Sequence, residues 1–302
     1  MNDILSQSLP IVALMAVGFL LRQVGIFRRD DGHTMARIII NTTLPALLFL
    51  SLARADVEPS QLLVLGLCGA AIPLVLHVVA IAVTKWMKLE KPVAGVVVVS
   101  AMVTNIGFFL IPFFLAFYGP EGVSRLAAFD LGNSLMTTSY AYYTATRYGN
   151  RPTFGWWTGL KRVLALPTFW ANIFGIAVNL AGVALPTLAV QIIEPLSKAN
   201  TPLAMLTLGS FIELRFANWR PMIAAVGLRI GGGLVVGLAI IQILGLTGLE
   251  RAAIGLGSAM PIGVIVLVYA SMEGLDTDFA AGAISLSILV ALLLTPLLLM
   301  LY

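Results

Sequence analysis

A polar stretch interrupts a segment that is otherwise uncharged and long enough to cross a bilayer. The sequence VTNIGFFLIP, residues 103–112, places Thr104 and Asn105 beside two helix-breaking residues, Gly107 and Pro112. Proline removes a backbone donor and glycine loosens a helix, so this segment is predicted to be a broken helix. Its unpaired backbone groups cannot face lipid and must therefore line a cavity enclosed by protein.

Such a break creates a site for an anion. A half-helix that begins inside the membrane exposes free N–H groups and the positive end of its dipole. We therefore predict that Asn105 and Thr104 form one wall of a substrate site. The alternatives are an Asn105 side chain that only bonds a neighbouring helix and prolines that only kink it.

A carboxylate and a second amide lie in the next apolar segment. Asp130 and Asn133 are three residues apart and so share one face of a helix. An intramembrane carboxylate suggests a proton carrier or a ligand for a coupling cation. An Asp130 that is merely hydrated near the membrane surface remains open. Arg229 lies at a similar depth in another segment, and we expect its long side chain to reach the surface.

Two Asn-Thr pairs complete the candidate site. Asn41 and Thr42 lie near the start of one apolar segment, and Asn200 and Thr201 near the start of another. Asparagine and threonine commonly cap helix starts, so caps and walls of the substrate site are both open interpretations.

Other kinds of site find little support. His33 and His77 have no second ligand at helical spacing, so no metal site is predicted. The single cysteine, Cys68, excludes an intramolecular disulfide. HExxH, Walker and nucleophile-elbow motifs are absent, so we expect neither an enzyme nor a cofactor. The GLVVG sequence at 233–237 has the spacing that permits close helix packing.

The composition of the chain predicts that these residues belong to a membrane protein. Of the 302 residues, 59% are hydrophobic and only 11% are charged, which is too few for a water-soluble surface. The mean hydropathy is +0.98. The net charge of +4 forms no basic stripe or nucleic-acid-binding module, so no nucleic-acid partner is expected.

Charges, prolines and turn residues divide the chain into ten predicted spans. These lie near residues 4–27, 34–53, 61–86, 92–118, 122–147, 163–184, 187–211, 221–245, 251–272 and 277–301. Most lysines and arginines follow spans one, three, five and seven, which predicts both termini on the non-cytoplasmic side of the cell membrane.

Two sequence echoes suggest an internal repeat. SAMVTNIG at residue 100 returns as SAMPIG at 258, and NTTLPALLFLSL at 41 returns as NTPLAMLTLGS at 200. Five predicted spans separate each echo from its partner, so the copies would be inverted, as in many secondary transporters. The repeats would occupy residues 1–150 and 151–302, and Pro261 and Gly263 would break span nine as Gly107 and Pro112 break span four.

Three segments resemble a known family. NIGFFLIP (105–112), ANTPLAMLTLGSFIEL (199–214) and PIGVIVLVYASMEG (261–274) are similar to spans four, seven and nine of the auxin efflux carrier family. The resemblance implies an all-α fold with ten spans, an inverted five-plus-five repeat and crossed broken helices four and nine. That fold is similar to those of bile-acid symporters and sodium/proton antiporters.

The resemblance also carries functional expectations. It implies a homodimer that moves its substrate by an elevator motion, with Asn133 and Asn200 approaching the substrate. We expect a secondary carrier of small organic anions, either auxin-like or dicarboxylic. The second proline of plant carriers in span nine is Val266 here, so their substrate is not carried over. Alternatives are a cation/proton antiporter, a sodium-coupled symporter and a ligand sensor; H⁺, Na⁺ and no coupling ion all remain open.

Overall fold

The breaks and turns in the chain determine where its helices end. The computed structural model describes residues 2–56, 58–149, 161–213 and 218–302, whose regular structure is helical. The helices are α1 (Asn2–Gln23), α2 (Arg29–Ile38), α3 (Leu44–Ala53), α4 (Pro59–Trp86), α5 (Lys91–Met102), α6 (Ile111–Met136), α7 (Tyr142–Tyr148), α8 (Pro167–Leu180), α9 (Thr187–Ser210), α10 (Trp219–Val226), α11 (Gly233–Leu244), α12 (Gly248–Ser258), α13 (Ile265–Glu273) and α14 (Thr277–Leu299).

Four π-helical turns join or extend these helices. They are Ile39–Thr43 between α2 and α3, Ile106–Leu110 before α6, Thr137–Ala141 between α6 and α7, and Gly227–Gly232 between α10 and α11. Insertions of this kind occur often at functional sites, because they redirect side chains without ending the helix. Three of the four contain or adjoin residues of the site described below.

Long apolar helices support the membrane assignment. Within the described ranges, five helical stretches are long and apolar enough to cross a membrane: Asp30–Ala53, Pro59–Trp86, Ile106–Tyr148, Trp219–Leu244 and Thr277–Leu299. The regular structure of the described residues is therefore helical, and these stretches indicate a multi-pass membrane protein. The count of ten spans and the inverted repeat stay predictions, and the predicted boundary between repeats, at 150 and 151, lies outside the described residues.

Fewer stretches meet the length and hydropathy expected of a membrane span than the ten spans predicted from sequence. The longest stretch shows one reason. Ile106–Tyr148 has 43 residues, which at 1.5 Å per residue is roughly 65 Å, about twice the hydrocarbon thickness. Gly119 interrupts it with φ 61° and ψ −166°, a conformation that favours glycine, and Pro120 follows. The stretch is therefore two helices joined at a kink, and predicted spans four and five meet at Gly119.

The helices pack in two groups with the site between them. The first group contains α1, α2, α3, α8 and α9, in which α1 packs along α9 and α3 along α8. The second group contains α4 to α7 and α10 to α14, in which α4 packs along α5 and α6, and α12 along α6 and α11. Predicted spans one, two, six and seven thus form one unit, and the other six spans form the second.

Glycines bring the central helices of each group together. A Cβ on Gly132 of α6 would lie 1.8 Å from the carbonyl oxygen of Gly66 in α4, and one on Gly69 would lie 1.9 Å from that of Phe129. In the first group, Gly18 and Gly209 make equally close contacts between α1 and α9. Small residues allow this approach where lipid provides no hydrophobic driving force.

Gly132→Ala should therefore destabilise the protein. The added methyl group would overlap the backbone of α4, and overpacking of this kind costs about 1–3 kcal/mol. Gly231→Ala is the matched control, because a Cβ there would meet nothing within 4 Å. We expect a lower unfolding temperature in detergent for Gly132→Ala alone. Equal unfolding temperatures for the two variants would contradict the close α4–α6 contact.

Candidate functional site

Two broken helices meet back to back at the centre of the second group. Helix α5 ends at Met102 and α12 at Ser258, and each is followed by an unwound segment before the chain becomes helical again. Thr104 and Ile262 form an antiparallel β-bridge, isolated among the described residues. The Asn105 N–H donates to the Pro261 carbonyl at 2.9 Å, and the Gly263 N–H to the Val103 carbonyl at 3.0 Å. We call residues 103–105 and 259–264 the crossing.

Local sequence explains why the chain unwinds there. Pro261 has no N–H to continue a helix. A Cβ on Gly263 would lie 2.8 Å from Val103 Cγ1 and 3.3 Å from the Thr104 carbonyl oxygen, so the two segments can approach only at a glycine. The Ile262 N–H donates to Ser287 Oγ of α14 at 3.0 Å. Backbone groups that a helix would have paired are thus satisfied between the segments and by a neighbouring helix.

Both second half-helices begin at the crossing. One starts with the π-helical turn Ile106–Leu110 and continues into α6, and the other is α13, which starts at Ile265. The first N–H groups of a helix have no partner within it, and the helix dipole makes this end positive. Two positive helix ends therefore lie next to the crossing, a favourable arrangement for an anion.

A cavity of about 470 Å³ opens beside the crossing, between the two helix groups. One part of its wall is polar and contains Thr104, Asn105, Asp130, Asn133, Ser134, Thr137 and Thr138. The remaining wall is mainly apolar and includes Ile40, Leu44, Phe108, Leu166, Phe211, Val264, Ile265, Val268 and Ile284. The volume suits a small organic molecule with a polar group and an apolar body.

Two buried polar atoms in this wall have no partner among the residues that the structure describes. Asn105 is only 3% exposed, and its Nδ2 donates to no acceptor. The hydroxyl of Thr137 is likewise buried without a partner. An unsatisfied buried donor costs about 1–3 kcal/mol, and an acceptor brought by a ligand would remove that cost.

Asp130 and Asn133 lie together in the wall, on one helix face as predicted. Asn133 Nδ2 donates to Asp130 Oδ1 at 3.0 Å, and Ser134 Oγ donates to Oδ2 at 3.3 Å. Within the described ranges no basic side chain forms an ion pair with Asp130. Among the described residues, the hydrogen-bond donors to this carboxylate are therefore neutral side chains.

Basic residues also line the cavity, and sequence reasoning missed them. Arg22 pairs with Glu213 at 2.6 Å. Arg37 is exposed, and its guanidinium bonds only weakly to Thr34 Oγ1, at 3.4 Å. Both arginines lie at the ends of predicted spans, where they indicated only orientation in the membrane. Their position around the connection between spans one and two was the available signal.

The Asn-Thr pairs lie away from the cavity wall. Asn41 donates its amide to the Arg37 carbonyl at 2.7 Å, inside the π-helical turn. Asn200 is fully buried in the middle of α9 and accepts a bond from Thr43 Oγ1 at 3.1 Å. Neither pair lies at a helix start, so the capping interpretation is wrong. The Asn200 amide nitrogen and the Thr201 hydroxyl are buried without partners in the described part of the chain.

The predicted helix breakers occupy different positions. Gly107 and Gly263 line the cavity. Pro261 contributes its carbonyl to the crossing, and Pro112 lies in the first turn of α6. Among the described residues no cluster of His, Cys, Asp and Glu could hold a metal ion.

The expectation for Arg229 was wrong. Its side chain does not extend to the membrane surface but is fully buried in the second group. Nη1 donates to the Ala101 carbonyl at 2.8 Å, and Nη2 donates to the Ser258 carbonyl. Surface contact was predicted because a long arginine side chain can reach the membrane surface. Here carbonyl groups at the ends of α5 and α12 accept its hydrogen bonds instead.

A family model described as membrane transport protein matches residues 3–151 and 158–299. The chain belongs to the auxin efflux carrier family. The resemblance found in spans four, seven and nine is thereby confirmed. The description of this auxin efflux carrier family model indicates a membrane transporter.

Two relatives are similar over nearly their whole lengths. A protein of Methanothermobacter thermautotrophicus named "Uncharacterized transporter" is 29% identical over 293 residues, which cover 96% of this chain and 95% of the relative. An uncharacterized transporter of Methanocaldococcus jannaschii is 26% identical over an aligned length of 302 positions, and the alignment covers 96% of both chains. These names support transport and specify no substrate.

The cavity of this family member should be accessible to water. Val268 and Leu238 are each 42% exposed, but only Val268 lines the cavity. In a Cys68→Ser background, we expect a charged thiol reagent to modify Val268→Cys much faster than Leu238→Cys. The reason is that thiolate formation and the reagent both require water. Equal modification rates in purified protein would contradict an aqueous cavity at the crossing.

Proposed function

We propose that this protein is a secondary transporter of small organic anions, with the substrate carboxylate bound at the crossing. The observation that carries the proposal is the Asn105 amide, a buried donor without a partner that lines the cavity. It lies where two half-helices begin, so backbone donors and helix dipoles favour the same negative charge. A carboxylate oxygen provides the acceptor that this geometry lacks.

The rest of the cavity is consistent with such a substrate. Asn133 adds an amide to the polar wall, and exposed Arg37 provides a positive charge within the same cavity. The apolar wall would contact the body of the substrate. An auxin-like acid and a dicarboxylic acid both fit these features in outline, and no cofactor takes part.

The two helix groups suggest how the substrate would cross the membrane. The cavity lies between them, and the crossing belongs wholly to the second group. In the proposal, the second group carries the site across the membrane while the first remains fixed, as in an elevator. The proposal includes ten spans in an inverted five-plus-five repeat, both termini outside the cytoplasm, a cell-membrane location and a homodimer.

Asn105→Ala should weaken anion binding by about tenfold to a hundredfold, because a hydrogen bond to a charged group contributes about 1.5–3 kcal/mol. Asn179→Ala is the matched control, since Asn179 donates to the Ala55 carbonyl and lies outside the cavity. Purified protein is screened against organic acids by thermal shift, and each acid that stabilises it is tested for uptake into proteoliposomes.

Unchanged uptake by Asn105→Ala would remove Asn105 from the site. If acids stabilise the protein but none crosses the proteoliposome membrane, the protein is a ligand sensor instead. If no acid stabilises the protein or is taken up, the proposed function is wrong.

Asp130 supports a second candidate function, transport coupled to protons or sodium ions. It is a carboxylate within the cavity wall, bonded only to neutral donors in the described structure. If Asp130 carries the coupling proton, flux will depend on pH, and Asp130→Asn will remove that dependence because an amide does not titrate. Ser134→Ala is the control, since it removes one hydrogen bond and keeps the carboxylate. Identical pH profiles for wild type and Asp130→Asn would exclude this role.

A further inference from the structure

Carbonyl groups at the ends of both broken helices accept hydrogen bonds from the same buried guanidinium. Arg229 bonds the carbonyl of Ala101, in the last turn of α5, and that of Ser258, the last residue of α12. Its side chain is fully buried, and no acidic side chain pairs with it in the described ranges. The partners of this charge are therefore the two helix ends themselves.

This arrangement changes the charge balance of the crossing. The last carbonyls of a helix are unpaired and carry a partial negative charge, whereas the first N–H groups carry a partial positive charge. Four helix ends meet at the crossing, two of each kind. Arg229 compensates the two negative ends and leaves the two positive ends facing the cavity. An anion is then favoured over a cation.

The guanidinium of Arg229 lies at the C-terminal ends of two broken helices, where other transporters commonly bind a coupling ion. Where broken helices meet inside a membrane, their C-terminal ends and unwound carbonyls commonly coordinate Na⁺. Here two of these carbonyls already accept hydrogen bonds from a cationic side chain. A metal ion that used them would have to displace a guanidinium fixed to the protein.

The local sequence positions the Arg229 side chain at the ends of the two broken helices. Arg229 lies within the π-helical turn Gly227–Gly232, which redirects side chains relative to a regular helix. A Cβ on Gly233 would lie 1.9 Å from the Ser258 carbonyl oxygen and 2.6 Å from Arg229 Nη2. A Cβ on Gly237 would lie 2.1 Å from Ser258 Oγ. The GLVVG motif thus packs α11 directly against the end of α12, next to the guanidinium.

We propose that Arg229 is a built-in cation that holds the C-terminal ends of both broken helices, in the place where a bound metal ion would otherwise be needed. It is a positioning residue, because it acts through the crossing and does not line the cavity. This inference rests on the proposed anion site. Its consequence is that anion binding needs no Na⁺ as long as Arg229 is present.

The test compares cations in wild type and in Arg229 variants. Anion binding and thermal stability are measured in matched sodium, potassium and choline salts, with and without guanidinium at concentrations too low to denature. With Arg229 present and the other candidate Na⁺ ligand removed by Asp130→Asn, thermal stability and anion binding should be the same in all three salts. Arg229→Ala should bind the anion about tenfold more weakly, because two helix-end interactions are lost, and guanidinium or Na⁺ should restore part of that binding and stability.

Two further variants separate this role from general destabilisation. Arg229→Lys keeps the charge and should retain most of the binding, even if Arg229→Ala does not fold. Arg125→Ala removes another buried arginine, which bonds the Asp56 carbonyl and pairs with Glu250 away from the crossing. Guanidinium should not restore anion binding or stability selectively in Arg125→Ala.

The outcomes distinguish the two proposals. A Na⁺ requirement for binding, or stabilisation by Na⁺, that persists in Asp130→Asn would overturn the role of Arg229, as would Arg229→Ala with normal binding and stability in choline. Equal responses of Arg229→Ala and Arg125→Ala to guanidinium would also overturn it. If no organic acid binds wild type, the proposed function fails, but the dependence of stability on added cations still tests Arg229.

Discussion

The structure depends on two backbone hydrogen bonds, from Asn105 to Pro261 and from Gly263 to Val103. They pair main-chain groups where two helices stop inside an apolar protein, and lipid surroundings would make the cost of leaving those groups unpaired prohibitive. The supporting contacts follow from the same constraint. Ser287 accepts the N–H of Ile262, and Arg229 donates to carbonyls at the ends of α5 and α12.

The crossing also explains the chemistry of the cavity. Once the two negative helix ends are paired with Arg229, the positive ends and the Asn105 amide remain on the cavity side. In the proposed transport of organic anions, a neutral amide at this position would bind a carboxylate without the long retention that a buried ion pair would produce. The cavity lies between the two helix groups. In the proposed elevator motion, relative movement of the groups would open it to either side of the membrane.

Sequence reasoning predicted the features that have local causes. Composition indicated a membrane protein, and the spacing of Asp130 and Asn133 predicted their shared face. Both helices are broken as predicted, but the first break lies at 103–105, before Gly107 and Pro112, which belong to helical turns. Sequence reasoning failed where the outcome depends on distant partners. Arg229 was expected at the surface because its acceptors, at 101 and 258, are remote in sequence, and Asn41 was placed near a helix start because a π-helical turn has no clear sequence signal.

The crossing itself is tested most directly by a disulfide across the β-bridge. Thr104 and Ile262 form a pair whose flanking residues make the hydrogen bonds, a geometry in which Cα atoms are about 4.5 Å apart, within disulfide range. In a Cys68→Ser background, Thr104→Cys with Ile262→Cys should cross-link rapidly on mild oxidation, and Thr104→Cys with Val264→Cys, two residues out of register, should not. Equal cross-linking of both pairs, or none in the first, would show that the broken helices do not meet as described.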